Sequence, residues 1–166
     1  GELLAVGALA VCDFAITREE LEQVFPAYEL LLDSALETLA PVLISLPGAG
    51  GLKVHHESLS RFVRRDKSEA WKRSIRQSAA DWLDGRGFFT DTRAFRNLPQ
   101  LLADLERHDE LAALIDRDFV SNAIAQLQPP DAIKDVLATV ATSAQNRRDW
   151  VTLITCVEAL RAFRVY

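Results

Sequence analysis

Residues 41–56 are the part of this chain that helical periodicity does not explain. Two short β-favouring runs, Pro-Val-Leu-Ile-Ser-Leu at 41–46 and Leu-Lys-Val-His-His at 52–56, flank Pro-Gly-Ala-Gly-Gly at 47–51. Such runs around a glycine-rich break read as a β-hairpin with a slightly long loop. Upstream, an apolar run at 3–12 reads as a buried first helix. Thr17-Arg-Glu-Glu20 is then a capping box for a second helix over about 18–25. Pro26 opens a third, where Leu32, Leu36 and Leu39 recur at helical spacing until Pro41 stops it. Three helices and a two-stranded hairpin make a winged-helix module. A further helix at 57–65, with Leu59, Phe62 and Val63 on one side, completes a first domain over residues 1–66.

From residue 67 to 166 the pattern is helical throughout, and this stretch is read as a second domain. Trp71, Ile75, Ala79, Trp82 and Leu83 lie on one amphipathic helix, ended by Asp84-Gly-Arg-Gly87. Further helices are expected around 98–106, 109–115, 119–127, 131–145 and 149–163. Pro99 either occupies a first turn, where it costs nothing, or kinks a longer helix. The last two helices, joined at 146–148, read as an antiparallel hairpin of the kind stacked in helical-repeat proteins, although no repeat period is evident. The expected fold class is mainly α: a winged helix with a short β-hairpin, then an α-helical, repeat-like segment.

The chain has 166 residues, 49% of them hydrophobic, enough for a substantial core. It lacks methionine and begins with Gly1, and both ends read as helices cut close to their boundaries, so a piece of a longer protein is expected. The run at 3–12 has no basic leader and is too short to span a bilayer. Cys12 and Cys156 have no CxxC spacing, which fits reduced thiols packed as small hydrophobes in a cytoplasmic protein. Within a net charge of −5, residues 61–76 place seven basic side chains against Asp66 and Glu69. A solvated basic face, or one contacting acidic parts of the same protein, is the reading of that run.

Several chemistries fail on spacing. In a phosphate-binding P-loop the lysine and a hydroxyl directly follow the last glycine; here Leu52 intervenes before Lys53, and Val54 stands where the hydroxyl belongs. His55-His56-Glu57 lacks the one-turn histidine spacing of a zinc hydrolase, and His56 with Ser58 has no nucleophile elbow. The third helix carries Glu29, Asp33 and Glu37 with no Lys or Arg, a poor charge for entering a DNA groove. No catalytic residues, no metal and no cofactor of the chain's own are expected.

Leu52-Lys-Val-His-His-Glu-Ser-Leu-Ser-Arg-Phe-Val63 resembles the end of the winged-helix domain of STAND-class P-loop ATPases, the NACHT and AP-ATPase group. There a strand runs into a His-x-Ser-[Phe/Leu]-x-x-[Phe/Leu] helix start, matched by His56, Ser58, Leu59 and Phe62. Residues 14–25 are similar to the opening of that domain, and 94–115 to the helical region that follows it. The resemblance implies that His56 contacts the β-phosphate of ADP bound by an upstream P-loop domain in the same protein. Walker A and Walker B motifs are absent from these residues, so ATP and ADP belong to the parent protein. Arg61 stands where an acidic residue is common.

The expectation is therefore a non-catalytic regulatory segment of a signalling ATPase. Its winged helix relays nucleotide state to a helical region that contacts a protein partner or a second copy. The alternatives are a stand-alone helical interaction scaffold and a winged-helix transcription regulator. Neither a membrane nor nucleic acid is expected as a partner.

Overall fold

Thr17 Oγ1 accepts a hydrogen bond from Glu20 N at 3.2 Å while Glu20 Oε2 accepts one from Thr17 N at 2.9 Å, so the expected capping box forms and starts a helix. The computed structural model describes residues 7, 9–11, 14–45, 51–54, 61, 65 and 67–164. Among them the protein is mainly helical, with a single two-stranded antiparallel hairpin. Helix α1 (Arg18–Val24) ends at Phe25, and Pro26 opens a 3-10 turn that leads into α2 (Glu29–Leu39). A second 3-10 turn containing Pro41 closes α2. Leu21, Val24, Leu32 and Ala35 are buried, which explains the apolar spacing of both helices.

Strands β1 (Leu43–Ser45) and β2 (Leu52–Val54) pair with Leu43 opposite Val54 and Ser45 opposite Leu52. The first strand starts two residues later than the expected run, because Pro41 and Val42 belong to the 3-10 turn; residues 46–50, 55 and 56 lie outside the described residues. Ile16 adds a pairing that the periodicity did not foretell. Its N–H donates to Leu52 O at 3.2 Å, and Leu52 N donates to Ile16 O at 2.8 Å. Gly51 permits this approach, because a Cβ there would lie 2.8 Å from Ile16 N and 2.9 Å from Ala15 C. The resulting order is helix at residues 7 and 9–11, bridging Ile16, α1, α2 and hairpin, which is winged-helix topology.

Helix α3 (Glu69–Gly85) buries Ile75, Ala79, Ala80 and Leu83 and turns Arg73, Gln77 and Asp81 outward, as its periodicity predicts. The Trp82 ring stacks on Phe14 with centroids 6.3 Å apart, and its indole N–H donates to Gln23 Oε1 at 3.2 Å. Contacts group the chain into residues 1–82 and 83–166, with the division inside α3. Residue 66, where the sequence reading ends its first domain, lies outside the described residues, as does most of the helix expected at 57–65.

In the second unit, α4 (Thr92–Asp104) begins six residues before the expected 98. Asp91 caps it, its Oδ1 accepting from Arg93 N at 2.8 Å and Ala94 N at 3.2 Å. Pro99 therefore sits inside the helix, buried, and the carbonyl of Phe95 loses its helical donor. Short helices α5 (His108–Ala113) and α6 (Phe119–Ala125) follow, then α7 (Pro130–Arg147) and α8 (Trp150–Phe163). Arg148, in the left-handed region at φ 60°, and Asp149, which caps α8, fold α8 back on α7 as the expected hairpin. The core centres on Phe95 and Phe119, both 0% exposed, with ring centroids 6.0 Å apart. Phe88, just after the left-handed Gly87, brings its ring 4.9 Å from Phe95. Ile133, Val136, Leu137 and Val140 line the buried face of α7.

Candidate interaction surfaces

In a DNA-binding winged helix the helix before the hairpin enters the major groove. Here that helix is α2, and its outward face carries Leu30, 94% exposed, beside half-exposed Leu31, Glu29, Asp33 and Glu37. Arg18 from α1 grips Asp33 with two guanidinium nitrogens, Nε donating to Oδ1 and Nη2 to Oδ2, the latter at 3.0 Å. That bond holds the Asp33 carboxyl below its ordinary value and raises the guanidinium of Arg18. Arg18 is thus tied to an acid, and α2 itself contains no Lys or Arg, so its outward face is acidic and apolar.

The basic run does not form one uniform face. Arg61, Arg65 and Arg73 are exposed, whereas Lys72 is buried and pairs with Glu69. Lys67 Nζ lies 5.9 Å from the centre of the Trp71 ring. His56, with His55 and Ser58, lies outside the described residues.

Two apolar surfaces in the second unit were missed by sequence reasoning. Along α8, Trp150, Val151, Ile154 and Val157 are exposed, from 44% for Val157 to 78% for Val151, while Cys156 and Ala159 face inward. The signal was present: Trp150, Val151, Ile154 and Val157 recur at helical spacing beside Cys156 and Ala159, so apolar residues occupy more than one face of 150–163. Separately, Ile124, Leu127, Pro129, Ile133, Leu160 and Phe163 line a groove of about 920 Å³, with Lys134 and Arg164 at its edge.

His108 Nδ1 lies 3.2 Å from Ser143 Oγ, a pair with the elements of a base and nucleophile. Among the described residues no carboxylate hydrogen-bonds to the His108 ring, and Asp149 nearby is committed to Thr152 at the start of α8. Burial, helped by the charge of Asp149, pushes the Cys156 thiol up to about 11, which keeps it protonated and inert at neutral pH. Among the described residues no group of His, Cys, Asp or Glu could hold a metal ion, and no helix is long and apolar enough to cross a membrane.

No protein-family model, curated protein or solved structure matches the chain.

Proposed function

We propose that the chain is a non-catalytic regulatory and interaction segment of a STAND-type signalling ATPase. Its winged helix relays the nucleotide state of an upstream P-loop domain, and its helical region meets a protein partner or another copy. The observation that carries the interaction half is α2, which turns Leu30 and Leu31 outward among Glu29, Asp33 and Glu37. Such a face repels a polyanion and leaves apolar area for another protein to cover. The nucleotide half rests on the resemblance around His56 and on the winged-helix order of the first unit. ADP would be held by the upstream domain, with His56 donating to its β-phosphate.

A free-standing helical interaction scaffold is the second reading, favoured by the exposed ridge of Trp150, Val151, Ile154 and Val157 on α8. A transcription regulator is opposed by the charge of α2. Fluorescence anisotropy with a duplex DNA probe at low salt should show no saturable binding. Tight binding that falls steeply with added salt would replace the interaction reading with DNA recognition. In the full-length gene product, Leu30→Ser combined with Leu31→Ser should leave the fold intact and remove the difference in protease sensitivity between the ADP and ATP states. An unchanged difference would take α2 out of the relay.

A further inference from the structure

The turn between α6 and α7 combines two unfavourable features at one residue. Leu127 has φ 54°, in the left-handed region, and its side chain is 89% exposed. The turn itself is a regular helix ending: Gln128 N donates to Ala123 O and Leu127 N to Ile124 O, each at 2.9 Å. Glycine or asparagine suits that position better than leucine, whose Cβ strains the backbone there. Burial does not compensate, because the side chain stands in water.

What lies beside it defines the chemistry. Leu127 stands at the lip of the groove whose floor includes Ile133, Leu160 and Phe163. Among the described residues the ionisable groups lining the groove are both cations, Lys134 and Arg164, although the chain as a whole has a net charge of −5. Lys134 Nζ lies 6.0 Å from the centre of the Phe163 ring, so positive charge is held against the apolar wall. A small molecule resting on the floor would leave the projecting Leu127 uncovered. A polypeptide segment crossing the lip covers it and brings carboxylates to the two cations.

We propose that this groove docks an acidic, amphipathic peptide segment of a partner protein, with apolar residues against Ile133, Leu160 and Phe163, contact over Leu127, and carboxylates at Lys134 and Arg164. This deepens the reading of the chain as an interaction segment and rests on it, by stating which surface binds and what it selects. The mode is an amphipathic segment laid in an apolar groove, with charge choosing among partners.

The test titrates the 166-residue chain with fluorescein-labelled amphipathic peptides of about 14 residues, leucines at helical spacing and either glutamate or lysine at every other position. The glutamate peptide should bind and the lysine peptide should not. Lys134→Glu with Arg164→Glu should weaken the glutamate peptide about tenfold or more and admit the lysine peptide. Leu127→Gly should weaken binding about fivefold while melting no lower than wild type, since glycine suits the backbone there. Leu127→Asn serves as the second variant at the same backbone position. Equal affinity for the two peptides, or unchanged affinity in the variants, overturns the proposal. So does displacement of the glutamate peptide by dodecanoate at matching concentration, which would mark a small-acid pocket. Self-association of the chain abolished by Leu127→Gly would make a second copy the occupant and likewise overturn it. Failure of peptide binding leaves DNA indifference and nucleotide retention standing, and their failure leaves the groove standing.

Discussion

Both units leave leucines in water, but the charge around them is opposite. Leu30 and Leu31 on α2 lie among Glu29, Asp33 and Glu37, whereas Leu127 borders a groove edged by Lys134 and Arg164. An exposed apolar side chain by itself says little about a protein. The charge around it limits what kind of surface could cover it, and the two units present opposite charge there. Their interiors differ as well. The first unit joins short elements through a capping box and a long-range backbone bridge, whereas the second is built on fully buried aromatic rings and a long apolar stripe on α7.

The interiors can be broken selectively. Phe119→Ala, at a side chain that is 0% exposed, should cost about 3–5 kcal/mol in urea denaturation. Leu30→Ala, at 94% exposure, should stay within about 0.5 kcal/mol. Equal effects would dissolve the distinction between buried and exposed apolar residues. Gly51→Ala should cost about 1–3 kcal/mol, because its Cβ meets the backbone of Ala15 and Ile16. Hydrogen exchange at Ile16 and Leu52 should then accelerate before exchange in α7 does; unchanged exchange at those two amides would show that the bridge does not need glycine.

Asp91→Ala should cost about 1–2 kcal/mol through loss of the α4 cap. Burial works against ionisation of Asp91, yet bonds from Arg86, Ala94 and Arg93 outweigh it and hold the carboxyl below its ordinary 3.8. A lowered folded-state value means the stabilisation is complete above that ordinary value and fades as pH falls below it. Asp91→Asn should flatten this part of the acid limb of stability measured by thermal melts. The smallest effect belongs to Arg18→Gln, which removes an exposed pair with Asp33. Its shift in melting midpoint should be slight and should vanish at high salt.

Much of the fold was legible because it depends on neighbours in sequence. Thr17 and Glu20 cap α1, and Trp71, Ile75, Ala79 and Leu83 mark the inner face of α3, all from spacing alone. Of the two places open to Pro99, a first turn or the inside of a longer helix, it takes the second; the expected start at 98 was late because the true start is fixed by Asp91, four residues after the helix punctuation ends at Gly87. The Ile16–Leu52 bridge was hidden because single-residue pairing leaves no alternating pattern. The groove was hidden for a different reason: Leu127 reads as an ordinary apolar helix residue until its φ and exposure are known. His56 was legible only through resemblance, and its position lies outside the described residues.

The central claim is tested most directly by the nucleotide that the full-length gene product carries when purified. Nucleotide is extracted from wild type and from His56→Ala and the ADP per protein quantified, with circular dichroism to confirm equal folding. The account predicts ADP close to one per wild-type chain, as one site per P-loop domain requires, and little in the variant. Absence of nucleotide from both, or equal retention by both, would contradict a phosphate contact from His56 and with it the relay.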